Sequence, residues 1–285
     1  MIQSKIIRPF VEINLAEHCN LTCALCDHYA PFLPEKYADI EATHGDLMAL
    51  STVLHTNHLL LLGGEPLLHP EFDEFCRMAK SVQISHQLVL VTNGILLHRM
   101  SSEAWQMIDG IRISRYPGVK ISVKRKMLEA QARKYNVWIW ESDVKMFDIT
   151  ESTAEITDQC LRNTIFTNCL MGHICNTIHD GRYYRCPPSV FIQTRLSKRG
   201  VELDNHKEDS VMIQNNSNLK AELEMLLFRS DPLEACRYCL GGLGRKEPHK
   251  MLNKKESQQI IGLPMEQEFN YSEIREDFVY CNATK

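Results

Sequence analysis

No stretch of this 285-residue chain approaches the run of about 18 apolar residues that a membrane-spanning helix needs. The N-terminus, MIQSKIIRPFVEINLAEHC, lacks both the apolar core and the small-residue cleavage site of a secretory signal. A cytoplasmic location is therefore expected, with no membrane partner. Long runs of one charge are missing too: 32 Lys and Arg are interleaved with 36 Asp and Glu, for a net charge of −4. Nucleic-acid-binding faces carry a basic patch, so DNA or RNA is not expected as the main partner. Nothing repeats along the chain, and polar segments such as RLSKRGVELDNHKEDS (195–210) read as surface loop.

What the chain does have is cysteine. There are eleven, in a sequence whose 44% hydrophobic content can bury a sizeable core in one large domain, or in one domain plus a smaller one. Disulfides are rare in the cytoplasm, so clustered cysteines there point to metal or catalysis. Three fall within eight positions in EHCNLTCALCDHYAP (17–31): Cys19, Cys23 and Cys26. Cys76 lies on a helix face in EFDEFCRMAK and reads as a packed core thiol. Cys160, Cys281 and Cys175 stand apart from the clusters.

The first half alternates apolar runs with helix-forming segments. VEINLA (11–16), LLLLGG (59–64), LVLVTNG (88–94), IRISR (111–115) and VWIWES (137–142) read as strands, the second and third buried on both faces. Helices are expected near 43–56, 71–82, 100–109 and 122–135. Alternation of this kind implies a parallel sheet, in which function gathers in the loops after the strand ends. The cysteine loop follows the first strand, Gly63-Gly64-Glu65-Pro66 the second, Thr92-Asn93-Gly94 the third and Ser114-Arg115 the fourth.

Thiolates hold zinc or iron–sulfur clusters. His18 or His28 could complete a zinc site. A cubane on three cysteines would instead keep one iron without a protein ligand. With the Gly-Gly-Glu-Pro segment in the right order, the sequence over residues 10–142 resembles the radical S-adenosylmethionine (SAM) enzymes. That resemblance implies a partial (β/α)6 barrel of TIM type. It implies a [4Fe–4S] cluster on Cys19, Cys23 and Cys26, whose open iron is chelated by the amino and carboxylate groups of SAM. Gly63, Gly64, Glu65 and Pro66 would contact the methionine amino group, and Leu25 would lie near the adenine. Asn93, Ser114 and Arg115 would face the ribose or carboxylate. Reductive cleavage would then give a 5′-deoxyadenosyl radical able to take hydrogen from a C–H bond, with the electron coming from a donor such as flavodoxin or ferredoxin.

The second half carries another set. Asp180-Gly181 signals a hairpin between TIH and RYYR, and SNLKAELEMLLFRSD reads as a helix with Leu219, Leu223, Leu226 and Leu227 on one core face. Cys169, Gly181 and Cys186, followed by Cys236 and Cys239, resemble the shortened auxiliary-cluster region called a twitch domain, which implies a second [4Fe–4S] cluster. A zinc knot on the same four cysteines satisfies the same count. The expected layout is α/β: a barrel over 1–150, then a small auxiliary-cluster domain of hairpin plus helix over 151–285. The glycine-rich segment after Cys239 is expected to fold over the barrel opening.

Compact members of this family resemble the present chain in layout, among them aminocyclitol dehydrogenases and aminoglycoside epimerases. The implied substrate is small and carbohydrate-like: a sugar, aminoglycoside or cyclitol losing hydrogen from a carbinol carbon. The leading expectation is epimerisation, with Cys281 or Cys175 as the thiol that returns hydrogen. The competing outcome is dehydrogenation to a ketone, with the auxiliary cluster taking the second electron. Maturation of a ribosomal peptide is a further alternative. Few residues precede the first strand, so no leader-binding domain is expected. A zinc-stabilised binding protein is the non-enzyme alternative.

Overall fold

The structure, a computed structural model, describes residues 4–204, 206–253 and 256. Strand β1 (Ile6–Ala16) alternates, and Val11, Ile13 and Leu15 are buried on one face. Helix α1 (Ile40–Ser51) starts at Asp39, whose carboxylate accepts the Ala42 amide at 2.7 Å, one of the donors a helix start leaves unpaired. There follow β2 (Leu54–Gly63), α2 (Phe72–Val82), β3 (Ser85–Thr92), α3 (Ser102–Met107), β4 (Gly110–Arg115), α4 (Arg125–Tyr135) and β5 (Trp138–Asp143). Strands β1 to β5 are parallel neighbours in chain order, as right-handed βαβ crossovers make them.

The continuous apolar runs are explained by two buried faces. Leu59, Leu61, Leu88, Leu90, Ile111 and Ile113 pack outward against Leu47, Leu50, Phe75 and Trp105 of the helices. Leu60, Leu62 and Val89 pack inward with Phe10, Val91 and Trp138. Each such side chain, fully buried, contributes about 1.5–3 kcal/mol. Cys76 is fully buried in the outer layer of the core.

The second half comprises β6 (Met146–Asp148), α5 (Gln159–Asn168), α6 (Leu170–Ile174), β7 (Cys175–His179), β8 (Arg182–Tyr184), α7 (Pro188–Ser197), β9 (Ser210–Met212), α8 (Leu219–Leu227) and β10 (Lys246–Pro248). Six parallel strands are present, as a partial sixfold barrel has them, but the sixth is not where chain order would put it. After β5 the chain does not extend that edge of the sheet; β6 pairs antiparallel with β10 instead. The sixth parallel strand is β7, the first arm of the Asp180-Gly181 hairpin. It docks on the far edge, against β1, with Phe10 opposite Cys175 and Ile13 opposite Ile178. The result is an open eight-stranded sheet, β5-β4-β3-β2-β1-β7-β8-β9, with β8 and β9 antiparallel.

The segment 195–210 is also more than surface loop. Its first residues complete α7, and Asp209 is 1% exposed, accepting the amides of Glu234 at 2.6 Å and Ala235 at 2.8 Å.

Candidate functional site

The loop after β1 brings Cys19, Cys23 and Cys26 to the wall of one cavity of about 180 Å³ at the strand ends. Gly63 and Gly64 from β2, Thr92 and Asn93 from β3, and Ser114 and Tyr116 from β4 line the same cavity. Burial pushes the Cys19 and Cys23 thiols up to about 12 and Cys26 to about 11, with neighbouring thiols adding to the rise for Cys19 and Cys23.

Two glycines let the second loop meet the first. The Gly64 amide donates to Ala16 O at 2.7 Å and the Glu65 amide to His18 O at 3.2 Å. A Cβ on Gly63 would lie 2.3 Å from Ala16 O, and one on Gly64 would lie 2.1 Å from His18 O, so no other residue fits without moving backbone. The Glu65 carboxylate does not face the cavity. It is fully buried and accepts Thr92 Oγ1 at 2.7 Å, the Asn93 amide at 3.0 Å and the Leu67 amide at 3.2 Å. Burial raises its pKa to about 7 against those three bonds. Glu65 thereby fixes Asn93, whose Nδ2 donates to Asn20 Oδ1 at 2.7 Å and lies 3.7 Å from Cys19 Sγ. Pro66 is buried behind Glu65 as the first residue of a 3₁₀ turn.

Of the two expected β4 residues, only Ser114 lines the cavity. Arg115 points outward: its Nη1 donates to Glu141 Oε2 at 2.6 Å, with Asp143 at 3.7 Å. Tyr116 takes the inward place, as strand alternation requires. Leu25 lines a second cavity of about 290 Å³ together with Cys26, Tyr29, Ile149, Glu151, Arg195 and Lys250. The Tyr29 hydroxyl is buried without a partner.

Sequence reasoning missed His249. The segment after β10 lies across the cysteine loop: the Ala24 amide donates to Lys250 O at 2.9 Å and the Leu252 amide to Thr22 O at 2.8 Å, and Met251 bridges to Cys23. His249 Nε2 thereby reaches 3.2 Å from Cys23 Sγ, and its ring stacks on Tyr116 at 5.0 Å. Of the candidates from the sequence, His18 meets Tyr37, whereas His28 lines the loop cavity with its Nδ1 3.0 Å from Asp27 Oδ1. The glycine-rich tail thus closes over the loop.

In the second half Cys169, Cys186, Cys236 and Cys239 line one small pocket with Phe166, Arg185 and Gly241. Cys169 Sγ accepts the Gly172 amide at 3.4 Å and Cys239 Sγ accepts the Gly241 amide at 3.3 Å, bonds that favour thiolates. Burial and the other thiols push Cys186 up to about 12, and push Cys236 and Cys239 well above the ordinary range. A Cβ on Gly241 would lie 2.6 Å from Cys169 Sγ. Among the described residues no three of these sulfurs lie within 4.8 Å of one another, wider than a single zinc ion holds its thiolates, so the set suits a larger metal group.

Cys175 is not among these four. It sits on β7 opposite Phe10, and burial and the adjacent Glu12 carboxylate hold its thiol protonated. Phe10 precedes the end of β1 by six residues, and the Cys175 thiol feels the carboxylates of Glu12 and of Asp27, the latter on the wall of the loop cavity. Cys281 lies outside the described residues. Glu17, His179 and Asp180 also come together, but the Lys36 ammonium already bridges Glu17 at 3.0 Å and Asp180 at 2.6 Å.

No family model matches the chain. It is 32% identical over 107 residues to a GTP 3′,8-cyclase of Chlorobaculum tepidum, covering 37% of this chain and 32% of that one. The mitochondrial GTP 3′,8-cyclase of Arabidopsis thaliana is 28% identical over 93 residues, 32% of this chain and 24% of its own. The match thus spans a third or less of these curated relatives. Among solved structures, BtrN in complex with AdoMet and 2-DOIA is similar at TM-score 0.46 and 17% identity, over 83% of this chain and 94% of that one. An anSMEcpe structure with bound AdoMet gives TM-score 0.36 over 47% and 43%. No helix among the described residues is long and apolar enough to cross a membrane. Over about a third of its length, then, the chain is similar to GTP 3′,8-cyclases, and its structure brings the cysteine loop and its glycine segment to one cavity and the four later cysteines to another.

Proposed function

We propose that the chain oxidises a carbinol carbon of a small carbohydrate-like substrate to a carbonyl. The observation that carries this reading is that four cysteines line one pocket: a metal group held by all four would have no position left for substrate and would serve to move electrons. When bound, SAM and the two clusters would supply the means to remove one hydrogen atom from the carbinol carbon and an acceptor for the second electron as the hydroxyl proton leaves, so that C–OH would become C=O.

The chain's own residues do the rest. Cys19, Cys23 and Cys26 would hold the first cluster, and Cys169, Cys186, Cys236 and Cys239 the second. Glu65 locks Asn93 at the cavity wall, where its amide, the Ser114 hydroxyl and the Tyr116 phenol can orient a polar ligand. Leu25 offers an apolar wall in the adjoining cavity. A one-electron donor of the flavodoxin or ferredoxin kind would start each turnover.

Epimerisation requires a thiol behind the reacting carbon. Among the described residues no cysteine besides the three loop ligands lines the loop cavity; Cys175, on β7, is not part of its lining. Dehydrogenation, the competing outcome drawn from the sequence, is taken as the main reading on the strength of the four-thiol pocket. Turnover in deuterium oxide tests the choice: a carbonyl product without solvent deuterium at the reacting carbon is expected, and an inverted alcohol carrying solvent deuterium would restore the thiol route. A mass change in a co-purifying peptide would favour peptide maturation. Anaerobic material should hold about eight iron atoms per chain; about two zinc atoms and no colour would return the binding-protein reading.

A further inference from the structure

Arg185 lies in the extended segment between β8 and Cys186 and is 3% exposed. Its Nε donates to Gly172 O at 2.8 Å and one Nη to Leu226 O at 3.3 Å, while the other Nη lies 3.4 Å from His173 Nδ1. The guanidinium rests on the Phe166 ring at 4.5 Å from its centre. Carbonyls, a ring face and an imidazole fix its orientation, but none is an anion. It makes no ion pair with any carboxylate among the described residues, and the other charged side chains acting on it at longer range are the cations Arg229 and Arg8. A guanidinium stays protonated in proteins. A buried charge needs a counter-charge, or its desolvation goes uncompensated.

The available negative charge is sulfur. Arg185 lines the same pocket as Cys169, Cys186, Cys236 and Cys239. We infer that Arg185 is the built-in counter-charge of the metal group on these four cysteines, and that it raises the reduction potential of that group so that it can accept an electron from the substrate. The inference rests on the proposed function, which places an iron–sulfur cluster in this pocket. Four thiolates on a cubane leave a net negative charge, and one arriving electron increases it. A fixed positive charge at the pocket wall stabilises the more negative state more, which moves the potential upward. The cysteine loop of the first site has no buried arginine lining its cavity. The two sites are thereby set apart, with the auxiliary group the easier to reduce.

The test isolates the auxiliary site in a background with Cys19, Cys23 and Cys26 all changed to Ala, and follows its reductive titration by electron paramagnetic resonance. Arg185→Gln keeps an amide donor toward Gly172 and loses the charge; Arg185→Met keeps apolar bulk over Phe166. Both are expected to move the midpoint to more negative potential, whereas Arg185→Lys stays near the parent. In the otherwise native chain, the potential of the first cluster is expected to be the same in all three. An unchanged auxiliary midpoint in the Gln and Met variants at full iron content overturns the role of Arg185 and leaves the proposed function standing. An equal negative shift in the Lys variant also overturns it, because charge would then not be the cause. Absence of iron from the isolated auxiliary site overturns the proposed function and the inference together.

Discussion

Glu65 shows how one side chain can serve a site without touching its contents. Its carboxylate gathers three donors from β3 and the loop after β2, and through the Asn93 amide it sets the cavity wall. Glu65→Ala strands buried donors, each costing about 1–3 kcal/mol. Chemical denaturation of anaerobic protein should show a loss of about 3 kcal/mol, and SAM should bind more weakly by equilibrium dialysis. Asp209 offers a pH signature. Burial raises its carboxyl to about 7 although it accepts two backbone amides. With the folded pKa above the unfolded value, the native state keeps its proton longer, so stability falls as pH rises from about 4 to about 7 and then levels. Asp209→Asn should remove that slope, seen as a difference in thermal midpoint from wild type that narrows towards low pH. At this scale the cysteines were legible because three lie in one loop. Strand alternation, applied to the fourth strand end, would also have replaced Arg115 by Tyr116. His249 was not legible, since 226 residues separate it from Cys23 and only tertiary structure brings them together.

Among the elements, the best-read were those whose signal is local. The five strands and four helices of the first half follow from unbroken apolar runs and helix formers, and the hairpin from Asp180-Gly181. What the sequence could not give was which edge the hairpin would join, because pairing partners carry no local mark. The segment after β10 is the second such case. It holds the cysteine loop by main-chain bonds at Thr22 and Ala24. Leu252→Pro deletes the amide that donates to Thr22 O. Iron should leave the first site faster in a chelator challenge, while the four-thiol pocket keeps its metal; equal release from both would show that the segment does not grip the loop.

For the molecule as a whole, two cysteine-lined pockets and the proposed function predict two separable failures. Cys23→Ala is expected to abolish formation of 5′-deoxyadenosine, measured by chromatography. Cys236→Ala should keep SAM cleavage and lose carbonyl product, because only the second electron is then without a destination. If Cys23→Ala still makes 5′-deoxyadenosine, the first pocket has been assigned the wrong chemistry. In the sequence the class of chemistry rests on a resemblance carried by the cysteine loop and the glycine segment, because spacing alone leaves zinc and iron–sulfur both open.

Strand β1 is flanked by β2 on one side and β7 on the other, both parallel to it. Its second neighbour is specified far downstream, so on the ribosome the central strand waits with one row of amides and carbonyls bare until Cys175–His179 have emerged. A bare edge of that kind recruits other chains. Truncation before β7 should therefore yield inclusion bodies rather than a smaller working barrel.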